Sequence, residues 1–251
     1  MATKNVDIVF LMDASESMAP CFRQVCDNIN TLLEQPQLKS FNIHLGLLAH
    51  CMPNYNTYRF QGLTMANPID LIYQPHMQNR VRDELFTTDV SKFRSKLGSI
   101  TPQGDEDTLC ALDTACDFPF RPLQITQRVI ILLTDEKFED GLNGDSSCRK
   151  VSAIIEKLQN RNITIWGALP ESQAAMELST ADRSDFEFLQ NAHDGLRNFD
   201  FQNFFLQLGK TISTRVTQMT AELPYRKGLF GQATWGRTND TTVIHDLGYR
   251  Q

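Results

Sequence analysis

Long apolar runs are missing from this 251-residue chain. No stretch reaches the roughly 18 residues that a membrane-spanning helix needs, so no such helix is expected. Basic residues are also few, with 24 Lys and Arg against 30 Asp and Glu and a net charge of −6. They never cluster densely enough to follow a phosphate backbone or an anionic membrane surface, so neither nucleic acid nor membrane is an expected partner. Cysteine is sparse and scattered: Cys21, Cys26, Cys51, Cys110, Cys116 and Cys148 include no C-x-x-C pair. That excludes zinc-ligand spacing. The opening Met-Ala-Thr-Lys-Asn has no apolar signal region. The expectation is therefore a soluble cytoplasmic protein with reduced thiols, most of them small buried hydrophobes, Cys51 and Cys110 among them. Catalytic signatures are missing too. There is no Walker A loop, Gly-x-Gly-x-x-Gly, His-Glu-x-x-His or Gly-x-Ser-x-Gly. The histidines fall in no nucleophile or metal spacing, and His44 and His50, which flank a predicted strand, read as structural. Internal repeats and low-complexity segments are absent as well.

What is present is an ordinary globular balance, 41% hydrophobic and 22% charged, enough for a sizeable core. Val6 to Met12 is apolar at nearly every position, as expected of a strand buried on both faces of a parallel sheet. After Pro20, residues Phe22, Val25, Ile29, Leu32 and Leu33 recur at helical intervals. Further strands are predicted over Phe41–His50, Gln127–Thr134 and Ile163–Ala168, with an edge strand over Tyr58–Leu63 and a last short one over Phe186–Leu189. Otherwise Met52 to Asn79 is irregular. Helices are predicted from an Asp89 cap to Leu97, over Leu109–Asp117, from a Ser146 or Ser147 cap through Leu158, and over Phe201–Gln218.

This alternation predicts an α/β fold: a doubly wound, mainly parallel sheet flanked by helices, with right-handed crossovers. Such sheets bind ligands in loops outside the carboxyl ends of their strands. Three loops lie there, Asp13–Ser17, Gly104–Thr108 and Asp135–Glu139, and all three are rich in oxygen donors.

Asp13-Ala-Ser-Glu-Ser17 fits a D-x-S-x-S pattern, preceded by a buried strand, followed by Met18, and joined later by Ile-Ile-Leu-Leu-Thr-Asp135. In these features the chain resembles von Willebrand factor A domains and their metal-ion-dependent adhesion site. The resemblance covers about Val6 to Gln218 and implies a domain over residues 1–221, with a C-terminal extension over 222–251. It implies Mg²⁺ held by Ser15 and Ser17, with Asp13 binding directly or through water and Asp135 acting through water or as a supporting partner. The alternation of D-x-S-x-S also turns its three polar side chains to one side of an extended turn. The competing role for Ser15 or Ser17 is a plain helix cap.

The third loop departs from the family pattern. Counting back from Ala111-Leu112 places Glu106 where a threonine is usual, and Thr108 stands two residues later. Either Glu106 or Asp105 joins the ion, or these acids lie on a solvated rim and Thr108 still reaches it. A carboxylate there would add negative charge, weaken the site's hold on an acidic partner, and admit Ca²⁺ or Mn²⁺.

The resemblance implies a protein-interaction module rather than an enzyme, in which the ion accepts a carboxylate from a partner protein. Cytosolic bacterial relatives of this kind occur in tellurite-resistance and phage-conflict operons, beside ATPases, kinases or phosphatases. The alternative is a metal-dependent phosphatase or hydrolase, for which Lys137 and Arg149 are the nearby cations in sequence. In the extension, Leu229–Gly236 and Thr241–His245 are expected to pair as short strands, or to dock on a partner through Phe230, Trp235 and Ile244. A third option has Asp240 or Asp246 reaching a neighbouring molecule's metal.

Overall fold

Strand β1 (Lys4–Asp13) is the centre of the fold, because its sequence leaves it no exposed face. Val6 and every residue from Ile8 to Met12 are fully buried. Burial at this level contributes roughly 1.5–3 kcal/mol for each large side chain. On one edge β1 pairs in parallel with β2 (Phe41–Asn54), from Lys4 opposite Phe41 to Asp13 opposite His50. On the other it pairs in parallel with β5 (Thr126–Leu133), from Asn5 opposite Thr126 to Met12 opposite Leu133. Two more parallel strands, β6 (Ile163–Pro170) and β7 (Ser184–Leu189), extend the sheet beyond β5. Beyond β2 the pairing turns antiparallel, with β3 (Thr57–Gly62) and the two-residue β4 (Phe86–Thr87) both bonded to it. This computed structural model describes residues 4–54, 57–73, 78–104, 107–138, 150–190 and 194–222.

Alternate β1 side chains serve opposite faces, as strand geometry requires. Phe10 meets Phe93 of helix α4 (Val90–Gly98) and Phe205 of α8 (Phe201–Glu222), at ring distances of 5.1 and 6.2 Å. Val9 and Leu11 join the other core with Leu109, Leu112, Ile154 and Leu158 of α5 (Thr108–Cys116) and α6 (Val151–Asn160). Helix α1 (Ala19–Leu33) buries Phe22, Val25, Ile29 and Leu32, the stripe read from sequence. Helices on both faces of a mostly parallel sheet make this the doubly wound architecture expected.

Local chemistry sets most helix starts. Asp89 Oδ1 accepts from the Ser91 and Lys92 amides at 2.8 and 3.1 Å and so begins α4, as its sequence position suggested. For α6 the expected serine cap does not hold. The helix begins at Val151, with Lys150 at the N-cap and no side-chain cap bond. Val151 is itself fully buried in this first turn, and Ser146 and Ser147 lie outside the described residues. The edge strand expected over Tyr58–Leu63 is β3, and the rest of the stretch read as irregular contains the short helix α2 (Pro68–Ile72) and the start of α3 (Gln78–Leu85). The last helix before β7 is α7 (Gln173–Leu178), capped by Ser172.

At the amino-terminal edge of the sheet, fully buried Asp7 is closed off by Arg121. The Arg121 amide donates to Asp7 Oδ2 at 2.7 Å and its Nε to Oδ1 at 2.8 Å. Its remaining nitrogens reach Asn5 Oδ1 and the carbonyls of Val6 and Asn42, each at 2.9 Å. One guanidinium thereby ties β1 to β2 and to the segment leading into β5.

The chain divides into two compact units, residues 1–209 and 210–251. The strands expected near residues 229–245 lie outside the described residues, as do Phe230, Trp235, Asp240, Ile244 and Asp246. Among the described residues no helix is long and apolar enough to cross a membrane.

Candidate metal centre

Strand order decides where a ligand fits. The chain leaves β1 towards β2 on one side and leaves β5 towards β6 on the other, so the crevice opens between the carboxyl ends of β1 and β5. Asp13 ends β1, and Asp135 follows β5 by two residues.

These two carboxylates belong to one chain of hydrogen bonds. Asp13 Oδ1 accepts from the Ser15 amide at 2.7 Å, and Asp13 Oδ2 accepts from Thr134 Oγ1 at 2.9 Å. Ser15 Oγ and Ser17 Oγ lie 3.1 Å apart, and Ser17 Oγ donates to Asp135 Oδ1 at 3.0 Å. Asp135 Oδ2 accepts from the Gly195 amide at 2.7 Å. The loop itself is held at Ala14, whose amide donates to His50 O at 2.8 Å and whose carbonyl accepts from the Gln103 amide at 2.7 Å.

The two serines share a side for a reason that differs from the sequence reading. The backbone is extended only as far as Ser15 (φ −64°, ψ 162°), and Glu16–Met18 then form one 3₁₀ turn that swings Ser17 back towards Ser15. Neither serine acts as a plain helix cap. Ser15 makes no side-chain cap bond, and the residue at the N-cap of α1 is Met18.

Asp13 and Asp135 are both fully buried, and among the described residues neither meets a Lys, Arg or His side chain in an ion pair. Burial raises the Asp13 carboxyl to about 6, and the Asp135 charge adds a smaller push in the same direction. Hydrogen bonds from Ser15 and Thr134 work against that rise. The buried Cys21 thiol feels both carboxylates and is pushed well above its ordinary range, chiefly by burial. Two buried acids without a counter-charge are costly, and a divalent cation placed between them would neutralise both. The donor set is all oxygen, which suits a hard ion of the magnesium type. No three His, Cys, Asp or Glu side chains converge among the described residues. A metal here would therefore depend on hydroxyls as much as on carboxylates.

Thr108 opens α5 and is 1% exposed, with an Oγ1 that is buried and has no hydrogen-bond partner among the described residues. A buried hydroxyl left unsatisfied in this way has a lone pair to give a ligand. The residue before it, Asp107, is engaged as the helix cap, its Oδ1 accepting from the Cys110 amide at 3.0 Å. Asp105 and Glu106 lie outside the described residues. Of the six residues expected at the metal, the structure joins Asp13, Ser15, Ser17 and Asp135 in one network and puts Thr108 at the end of the third loop.

Thr134 was read only as the end of its strand, and Gly195 went unread. Thr134 orients Asp13 from just beyond the end of β5, and Gly195 orients Asp135 from a loop 60 residues further on. Gly195 has φ +66°, and a Cβ placed on it would stand 1.9 Å from the Ser17 carbonyl oxygen. Only glycine fits that contact. The Asp194-Gly195 pair is a turn signal in the sequence, but nothing local ties it to this site.

Comparison with protein families matches residues 7–186 to the von Willebrand factor type A domain. No curated protein matches the chain. Among solved structures, a von Willebrand factor type A protein from Catenulispora acidiphila superposes with a TM-score of 0.52 at 16% identity. The match covers 82% of this chain and 43% of that one, so the chain spans less than half of this neighbour's length. At that identity the likeness is one of fold.

Proposed function

The chain belongs to the von Willebrand factor type A domain family, and on that premise we propose that it is a protein-binding module whose rim takes one divalent cation, Mg²⁺ first. The observation that carries this reading is the pair of buried carboxylates, Asp13 and Asp135, bridged by two serine hydroxyls and facing no protein cation among the described residues. Ser15 and Ser17 would hold the ion through their hydroxyls. Asp13 would bind it directly or through water, Asp135 would steady Ser17, and the unpartnered Thr108 Oγ1 would serve from the third loop. Glu106 is the remaining candidate there, and with it the site would also accept Ca²⁺ or Mn²⁺.

Bound, the ion supplies a hard electrophilic position that a partner's Asp or Glu side chain completes. The protein's own part is orientation. The Ser15 amide and Thr134 fix the two oxygens of Asp13, and the Gly195 amide fixes Asp135. The work of the site on this reading is binding, with no reaction catalysed. The family resemblance suggests a cytoplasmic role in a bacterial stress or defence complex of the tellurite-resistance type, with an ATPase, kinase or phosphatase as the partner.

The test is a pull-down from native lysate, run with Mg²⁺, with EDTA, and with Asp13→Ala. Partners should be recovered only from the wild type with Mg²⁺. The same partners in all three arms would sink the metal-mediated mechanism. Mg²⁺-dependent phosphate release from a generic phosphomonoester, lost in Asp13→Ala, would replace it with a hydrolase.

A further inference from the structure

A second concave site lies far from the metal centre along the strands, at the amino-terminal edge of the sheet. It is a cavity of about 530 Å³, within the range that holds small-molecule ligands. Its walls carry four guanidinium groups, Arg82, Arg121, Arg128 and Arg161, with Phe118 and Phe120 as the apolar part. Such a concentration is unexpected in a chain of net charge −6.

These arginines are not equivalent. Arg121 is spent on the fold, closing Asp7 and three further acceptors. Arg161 pairs with Asp117 and donates to Cys116 O, and Asp117 is shared with Lys157, itself paired to Asp113. Among the described residues Arg128 forms no salt bridge, and it feels Asp7 only at longer range. It donates only to backbone carbonyls, through Nε and Nη2 to Arg121 O and through Nη1 to Arg161 O, and it stacks 5.9 Å from the Phe120 ring. Three donations leave two of its five N–H groups free. Arg82 gives Nη2 to His44 and sits 3.7 Å from Asp7, while its Nε is buried without an acceptor among the described residues. His44 itself is held neutral, its pKa lowered to about 4 by burial and by the neighbouring Arg121 and Arg82, so it adds no positive charge.

Four guanidiniums thus line the cavity against two carboxylates, Asp117 in the wall and Asp7 behind it, an excess of two positive charges. A structural role accounts for Arg121 and Arg161. It does not account for half-buried Arg128, which forms no salt bridge among the described residues, or for the buried Arg82 Nε, which has no acceptor among them.

We propose that this cavity is a binding site for a small phosphomonoester with an apolar or aromatic body, its phosphate held by Arg128 and Arg82 and its body lying against Phe118 and Phe120. A phosphomonoester carries close to two negative charges at neutral pH, which matches the excess, and the planar guanidinium fork suits its oxygens. A carboxylate would neutralise half as much. The site is independent of the metal centre, and its test is arranged so that the two cannot be confused.

Phenyl phosphate is the probe, titrated into the intact protein in EDTA so that no rim-bound ion can hold the phosphate. Backbone amide shifts are followed by NMR. Saturable shifts are expected at Phe120, Arg121 and Arg128, with none centred on Ala14–Ser17. Benzoate, of similar shape but a single charge, should bind about tenfold more weakly. Arg128→Gln should weaken phenyl phosphate by about tenfold or more, as expected for a lost charge-assisted hydrogen bond. Arg82→Gln should weaken it too and gives up no backbone hydrogen bond, so it serves if Arg128→Gln fails to fold. The proposal is overturned by absent or non-saturable shifts, by shifts centred on the metal loop, by benzoate binding as tightly as phenyl phosphate, or by affinity unchanged in a folded Arg variant.

Discussion

Asp7 and Asp13 stand on the same strand, both fully buried, and face opposite fates. At the amino-terminal end Asp7 receives a guanidinium and a backbone amide from Arg121, so its charge is neutralised from within the protein. At the carboxyl end Asp13 receives only an amide and a hydroxyl, and the second acid, Asp135, lies close enough to add to its burden. One buried carboxylate is a finished piece of structure and the other is an open valence. In a parallel sheet this division follows from topology. The lower loops are free to lock the strands together, while the upper loops at the switch point leave a crevice.

The sharpest way to break that comparison is to remove the lower cation. Arg121→Ala leaves buried Asp7 with only the longer 3.7 Å contact to Arg82 and the residue-121 amide, and should cost about 3 kcal/mol in urea denaturation. A loss below about 1 kcal/mol would mean Asp7 is no better compensated than Asp13. Next in size is Gly195→Ala, which forces a Cβ into the Ser17 carbonyl at positive φ and should cost about 2–3 kcal/mol while abolishing Mg²⁺ binding by calorimetry. Mg²⁺ at a hundredfold excess over its Kd should stabilise the wild type by about 2.7 kcal/mol. Asp13→Asn should show no such gain, yet in EDTA it should be no less stable than wild type, since it removes an uncompensated buried charge. Matched losses for Asp13→Asn and Asp7→Asn in EDTA would erase the distinction between the two ends.

The smallest effect is one of pH. Burial and the neighbouring Arg121 and Arg82 lower the pKa of half-buried His44 from 6.5 to about 4. Between those values the unfolded chain binds the proton and the folded one does not. His44 therefore contributes stability that is complete above pH 6.5 and is lost as pH falls towards 4. Melting temperatures of His44→Gln should fall less steeply than wild type across that window, and identical slopes would rule the contribution out.

Much of the upper end was legible because its signals are local. The apolar run of β1, the serines spaced after Asp13 and the Thr134-Asp135 pair closing β5 all lie within short windows of sequence. What escaped was non-local or too short for a period. Arg121 meets Asp7 across 114 residues, and Gly195 meets Asp135 across 60, so neither contact leaves a mark in its own neighbourhood. Strand β4 is two residues long and α7 six, below the length at which alternation or helical spacing can be read. The serine cap expected for α6 failed because the helix begins later than the sequence suggested, at Val151, where a buried apolar residue opens the first turn.

The position of β1 between β2 and β5 also governs the order in which the protein can be made. During synthesis β1 finds its first neighbour once residue 50 has emerged, but its other neighbour begins only at residue 126. Until then the buried run Ile8–Met12 carries an open edge, a template on which another nascent copy can pair. The Arg121 clasp forms at the close of that interval, immediately ahead of β5, so the ribosome delivers the lock just before the strand that needs it. Shielding that edge with a chaperone during synthesis should raise the yield of native protein more than any change in the Asp13–Ser17 loop.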